Sequence, residues 1–305
     1  MISGDMKYIK ISVAEIIKFL GDKVIGVEGK WQELFIDNLA EVERVNETTL
    51  DWINPTKSNK QMIAESSKAN VLLVDESINP VNNKVLIKVK NPKIALAEVG
   101  NYYFVKKPIP GIHPTAIIDS EAHIGTGVTI GAYCVVGKAV IGDRCVIESN
   151  VKVYDDTFMG NDCVVDSGAV LGGQGFGFIR DANGNLIRFP QIGQLIIGNN
   201  VEIGANSSID RGALSDTVIG DYTKISNLCH IAHNNKIGKN VVITCGSDIS
   251  GSNVIEDNVW IAPNTSIRGW VHIGKDAFLG MGAVVVKDVP AGETWIGNPA
   301  RKLLK

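Results

Sequence analysis

No apolar run in this 305-residue chain approaches the roughly 20 residues that a bilayer-spanning helix needs. The opening MISGDMKYIK lacks the apolar stretch of a secretory signal, so a cytoplasmic location is expected. Charge of one sign is also missing. A net charge of −3 provides no general attraction to nucleic acid or to a membrane surface. Cysteine is sparse: Cys134, Cys145, Cys163, Cys229 and Cys245, an odd set with no C-x-x-C pair. These read as small, buried, reduced side chains, and a metal or redox centre is not expected.

What is present is apolar content of 45% and 32 glycines, a share above the usual ~7% that frequent tight corners require. Aliphatic residues recur every six positions from Ile219 through Ile225, Ile231, Ile237, Ile243, Ile249, Ile255, Ile261, Ile267, Ile273 and Leu279 to Val285. So strict and short a period predicts a mainly β chain, a parallel β-helix of hexapeptide repeats. The aliphatic residue points into a narrow core, and small or turn-prone residues follow it at the corner. Three hexads make a triangular coil of about 18 residues, and successive coils stack about 4.8 Å apart.

The repeat begins earlier, at Ile112, Ile118, Ile124, Ile130 and Val136. It loses one residue before Ile141 and continues to Leu171. An excursion covers 172–190, with a hairpin signal at Asn183-Gly184, and one this long inside a solenoid is usually functional. The repeat is expected to resume at Ile192. Upstream, Ile11–Gly21 and Asn91–Phe104 read as helices, and Val71–Val74 and Lys84–Lys90 as strands. The expected organisation is therefore a small N-terminal α/β domain (1–105), a proline-rich linker (106–113), the β-helix (114–290) and a short tail (291–305).

Five histidines are available for chemistry: His113, His123, His230, His233 and His272. Acyl transfer to an amine needs a proton acceptor effective near neutral pH, which imidazole supplies. Gly251 lies one coil after His233, so stacking brings the two together. A glycine N–H open to a ligand can stabilise an oxyanion; the alternative is a solvent-facing imidazole beside an ordinary corner glycine. A three-histidine zinc site is disfavoured, because His230 and His233 are three apart and His272 follows His233 by no multiple of 18. The G-x-G-x-G of Gly173, Gly175 and Gly177 lacks the spacing and context of a dinucleotide fingerprint. Phe176 and Phe178, on the excursion, either pack on a neighbouring subunit or face a substrate.

The stretch from Gly172 to Gly220, with its G-F-G-F and I-D-R-G-A-L segments, and NLCHIAHNNKIG (Asn227 to Gly238) closely resemble the UDP-3-O-acylglucosamine N-acyltransferases of lipid A synthesis. The likeness extends over nearly the whole chain. It implies a left-handed parallel β-helix and a homotrimer with active sites between subunits. It also implies acyl transfer from acyl carrier protein to the amino group of a nucleotide-linked glucosamine. On this resemblance His233 is the general base and Gly251 the oxyanion donor. Asn54, Phe176, Phe178, Asn234 and Trp270 are candidate substrate contacts, with Asn54 in the small nucleotide-sugar-binding domain. No tightly bound cofactor or metal is implied.

The chain departs from the family pattern at four places. Trp270 stands where the family has a second histidine, and Ser226 where it often has an aspartate. Near the uracil pocket, Lys57 replaces a tyrosine and the aromatic Trp52 is displaced by one position. The short ending, which contains Arg301 and Lys302, resembles coenzyme-A-dependent sugar acyltransferases. Those two residues are candidate donor contacts, against a solvated basic tail. Acyl carrier protein and coenzyme A thus both stand as donors, and another nucleotide-linked amino sugar for a surface glycan stands as an alternative acceptor. A non-catalytic binding scaffold and a nucleotidylyltransferase fusion are the readings from other classes.

Overall fold

A computed structural model describes residues 9–303. The chain divides into two compact units, Met1–Lys107 and Pro108–Lys305.

The first unit carries a four-stranded mixed sheet in the order β1 (Val24–Glu28), β4 (Val85–Val89), β3 (Val71–Val74), β2 (Leu50–Trp52). All four residues of β3 are buried, as expected of a strand covered on both faces. The helix expected over Ile11–Gly21 starts at Val13 and ends at Leu20. Ser12 caps it: its Oγ accepts the Glu15 N–H at 3.2 Å while the Glu15 carboxylate accepts the Ser12 N–H at 2.8 Å, a reciprocal box that satisfies two otherwise orphaned donors. Ile11–Ser12 pairs instead with Phe35–Ile36. The stretch Asn91–Phe104 is α-helical only over Pro92–Val99 and widens into a π-helical turn over Gly100–Phe104.

The second unit is a parallel β-solenoid whose faces are sheets of 11, 9 and 8 strands. Most strands are two residues long, an outward residue followed by a core aliphatic. The 18-residue step is visible in the register: Ile225 pairs with Ile243 and that with Ile261, and Ile231 pairs with Ile249 and that with Ile267. These isoleucines are all essentially buried. Each such side chain stabilises the coil by roughly 1.5–3 kcal/mol relative to exposure. The corners hold residues in the left-handed region, among them Asn200, Asn206, Asn234, Asn240, Asn258 and Asn264, where asparagine is tolerated because its amide bonds locally.

Several expectations need correction. Gly111–Ile112 pairs with Thr129–Ile130, so the solenoid reaches into the expected linker. Thr294–Ile296 pairs with Phe278–Leu279, and Arg301–Lys302 folds back on it antiparallel, so the expected tail adds two short strands to the eleven-stranded sheet. The repeat resumes at Leu195–Ile197, paired with Thr157–Met159, and not at Ile192, which is exposed. The backbone at Ile192 and Gly193 is drawn outward to bond Ala213 and Gly212. Cys245 is also exposed, unlike the other four cysteines. Those four lie two residues before a core aliphatic and share its inward face, whereas Cys245 lies two after Ile243, past the corner.

Candidate active site

His233, Gly251 and Gly269 each lie two residues beyond a core isoleucine (Ile231, Ile249, Ile267) in consecutive coils. On the eight-stranded face the equivalent corner position is capped over several successive coils. Thr126 N–H donates to Asp143 Oδ1 at 2.7 Å, Asp143 N–H to Asn161 Oδ1 at 2.8 Å, Asn161 N–H to Asn199 Oδ1 at 2.9 Å, and Asn199 N–H to Asp221 Oδ1 at 2.9 Å. Each N–H is capped by a side chain from the next coil. At the His233 corner the next two residues are glycines and supply no such cap. Among the described residues the Gly251 N–H has no acceptor.

The imidazole of His233 lies against Gly251. A Cβ at Gly251 would sit 2.8 Å from Cε1 and 2.9 Å from Nε2 of the ring. The opposite side of the ring is closed by Gly175 of the excursion, where a Cβ would fall 2.9 Å from His233 Cδ2. Both glycines are required by close approach and not by an unusual φ. Sequence reasoning missed Gly175 and Gly269: the first acts across a non-periodic loop, and the second is visible only by comparison with the Asx-capped corners. The spacing of 18 from Gly251 was the available signal for Gly269.

The other candidates fall into three places. Phe176, Phe178, Asn234 and Trp270 belong to this corner or to the excursion beside it. The Trp270 N–H donates to the Gly251 carbonyl at 3.2 Å, its φ is +63°, and its side chain is 83% exposed. A bulky residue in the left-handed region is strained by about 1 kcal/mol or more, and this one gains no burial in return. Phe176 is 85% exposed and meets Phe178 edge to face, centroids 4.9 Å apart. The guanidinium of Arg188 lies 4.8 Å above Phe178 and donates to the Gly175 carbonyl at 3.3 Å. The excursion forms the expected hairpin, Phe178–Arg180 against Leu186–Arg188. The amide of Asn234 is mostly engaged: its Oδ1 accepts the Ala213 N–H at 2.7 Å and its Nδ2 donates to Ser252 Oγ at 3.4 Å.

Asn54 lies in the first unit, where its Oδ1 accepts from the Thr56 N–H and hydroxyl in an Asx turn. Trp52, the displaced aromatic, packs against that unit's core, as a one-residue shift along a strand requires. Arg301 and Lys302 lie on the last strand, with Lys302 Nζ bonded to the Glu293 carboxylate and Arg301 exposed. Ser226 makes no side-chain bond to the imidazole; its carbonyl accepts from Ser207 Oγ at 2.8 Å.

One histidine, missed as a structural centre, dominates the electrostatics nearby. His230 Nδ1 lies 2.9 Å from Asp248 Oδ1, and Nε2 lies 3.3 Å from Asp210 Oδ2. A neutral ring has one N–H and can satisfy only one of these carboxylates. The Asp210 bond above all, aided by Asp248 and opposed by burial, raises the pKa of His230 to about 9. His230 is thus a cation near neutral pH and no candidate for a base.

A parallel solenoid of six-residue steps, with an imidazole facing an uncapped glycine N–H, defines the class of hexapeptide-repeat acyltransferases. Family models agree: residues 254–287 match the bacterial transferase hexapeptide (six repeats), and residues 122–155 and 194–226 match the hexapeptide repeat of succinyl-transferase. The chain is 35% identical to the UDP-3-O-acylglucosamine N-acyltransferase of Coxiella burnetii (strain RSA 493 / Nine Mile phase I), covering 82% of this chain and 78% of the relative. It is 36% identical to UDP-3-O-acylglucosamine N-acyltransferase 1 of Francisella tularensis subsp. holarctica (strain OSU18), covering 95% and 90%. Among solved structures, LpxA from Acinetobacter baumannii is similar at 30% identity, with a TM-score of 0.57 over 63% of this chain and 73% of that one. The chain belongs to the UDP-3-O-acylglucosamine N-acyltransferase family and is an acyltransferase. The scaffold and nucleotidylyltransferase readings are thereby set aside. No helix among the described residues is long and apolar enough to cross a membrane.

Proposed function

We propose that the chain acylates the amino group of UDP-3-O-acylglucosamine, with an acyl thioester of acyl carrier protein as donor and His233 as the general base. The observation that carries this reading is the imidazole of His233 set against Gly251, whose N–H is left uncapped by the glycine beneath it. The acceptor amine attacks the thioester carbonyl and forms the C–N bond, and His233 Nε2 takes the proton the nitrogen loses. The oxyanion is held by the Gly251 N–H, in surroundings where a positioned donor is worth far more than in water. Collapse breaks the C–S bond, and the imidazolium returns the proton to the thiolate. Neither metal nor prosthetic group enters these steps.

Phe176, Phe178 and Trp270 supply the apolar walls for acyl chain and sugar, and Asn234 has one remaining amide hydrogen for the acceptor. Exposed aromatics on a corner and a loop suit a groove completed by a second copy, so the working species is a homotrimer with sites between subunits. Asn54 and the first unit would recognise the nucleotide. A second acceptor, another nucleotide-linked amino sugar acylated from coenzyme A, is favoured by the inward packing of Trp52 and by Lys57 in place of the family's tyrosine. In that reading Arg301 meets the coenzyme A phosphates, while Lys302 is already occupied by Glu293.

The deciding assay pairs UDP-3-O-acylglucosamine and other UDP-linked amino sugars with acyl carrier protein and coenzyme A thioesters. Turnover is expected with the first acceptor and the carrier-protein donor. Loss of about 10²–10⁴-fold is expected in His233→Ala. Full transfer by that variant would remove His233 as the base.

A further inference from the structure

Two polar atoms at this site are fully buried and have no hydrogen-bond partner: His233 Nδ1 and Gln191 Oε1. Buried polar atoms are nearly always paired, so two orphans beside each other call for a physical account. Gln191 is 7% exposed, and its Nε2 donates to the Phe189 carbonyl at 3.3 Å, which turns Oε1 away from that carbonyl. The point where a Cβ of Gly175 would stand is 2.7 Å from Gln191 Oε1 and 2.9 Å from His233 Cδ2. Only a glycine at 175 leaves room for the amide oxygen and the ring edge to share this space.

The edge of the ring turned toward that oxygen is the carbon Cδ2, while Nδ1 lies on the Gly251 side, 3.2 Å from that residue's Cβ position. A half-turn of the imidazole about Cβ–Cγ exchanges Nδ1 with Cδ2 and Nε2 with Cε1, leaving the ring's outline almost unchanged. In that orientation Nδ1–H faces Gln191 Oε1. Nε2 takes the place of Cε1, the ring atom nearest Gly251. One rotation therefore turns the orphaned Nδ1 toward the orphaned Oε1. It also fixes the tautomer, because an Nδ1–H committed to the amide leaves the lone pair on Nε2.

The backbone around Gln191 is held for this purpose. Ile192 N–H donates to the Ala213 carbonyl at 2.8 Å and Gly193 N–H to the Gly212 carbonyl at 3.0 Å. Ala213 N–H donates in turn to Asn234 Oδ1, next to His233. Arg211 locks the same loop through the Gly193 carbonyl and Asp156, each at 2.7 Å.

We infer that Gln191 is a positioning residue for His233: its amide oxygen accepts the Nδ1 proton, and so holds the imidazole in the tautomer whose Nε2 can take a proton at Gly251. The inference rests on His233 being the base, and its test is separable from that premise. ¹⁵N-histidine spectra of the full-length protein, with His233 assigned by loss of its signals in His233→Ala, report the neutral tautomer without any turnover. The expected result is protonated Nδ1 and unprotonated Nε2 in the native protein, and a mixture of tautomers in Gln191→Met. With UDP-3-O-acylglucosamine and acyl carrier protein thioester, Gln191→Met is expected to lower kcat about 10- to 100-fold with little change in KM. Gln191→Glu, which keeps the acceptor, is expected to recover most of kcat. A native spectrum with the proton on Nε2, or a Gln191→Met protein with unchanged tautomer and kcat, overturns the inference. The native spectrum decides the matter even where the variant fails to fold. Full transfer by His233→Ala instead refutes the base, and leaves the tautomer result standing as a structural fact.

Discussion

Two histidines three residues apart in one motif have opposite chemistry, and their surroundings explain why. His233 sits between two glycines and the amide of Gln191. His230 is clamped between Asp210 and Asp248 and holds its proton up to about pH 9, from an ordinary value of 6.5. A pKa raised on folding stabilises the protonated native state. The stabilisation is complete below pH 6.5, where both folded and unfolded chains carry the proton, and fades as pH rises through about 9. His230→Gln is therefore expected to unfold at lower urea concentration than the native protein at pH 6.5, with the gap closing above pH 9. Denaturant curves at several pH values test this. A gap that widens with pH contradicts the assignment. The imidazolium is about half exposed, so solvent screening keeps the effect modest.

At the scale of the element, the proposed site depends on an N–H that has no cap. On the eight-stranded face a run of coil corners closes each N–H with an Asp or Asn from the next coil, as the Thr126–Asp143–Asn161–Asn199 stack does. At the His233 corner the residue under Gly251 is Gly269, which has no side chain to cap with. Gly269→Asn is expected to supply such a cap and to occupy the Gly251 N–H, the proposed oxyanion donor. Gly269→Ala adds only the crowding of a Cβ placed 2.8 Å from the Gly251 carbonyl oxygen. The asparagine variant should lose about 10²–10³-fold in kcat, the range for removal of one such donor, and the alanine variant clearly less. Equal losses would mean that strain, not capping, governs this corner. The excursion is the other element that makes the site. Its hairpin was readable from Asn183-Gly184, because that turn has a local signature. Where its base docks was not readable, because Gly175 and Gln191 meet His233 across 58 and 42 residues of chain with no shared period.

For the whole molecule, a solenoid this narrow leaves broad flat faces, and two of them carry outward apolar pairs. Val140 pairs with Phe158 on the eight-stranded sheet, both outward, and Trp260 pairs with Phe278 on the eleven-stranded one. Contiguous apolar patches on a surface mark association sites. Sedimentation equilibrium is expected to return three times the chain mass of 32.8 kDa. A monomer of full activity would exclude a site shared between subunits.

The six-residue period by itself determined the coil, its core and the meeting of His233 with Gly251, because stacking repeats every contact at a fixed interval along the chain. The motifs around His233 likewise carried the family. Tertiary structure alone decided what the period does not reach. It turned Trp52 into the first unit's core, left Ile192 and Cys245 outside the solenoid core, clamped His230 between two carboxylates, and brought Gly175 and Gln191 against the imidazole. Those outcomes depend on where loops and corners come to rest in three dimensions, and a linear repeat encodes only the contacts that recur with it.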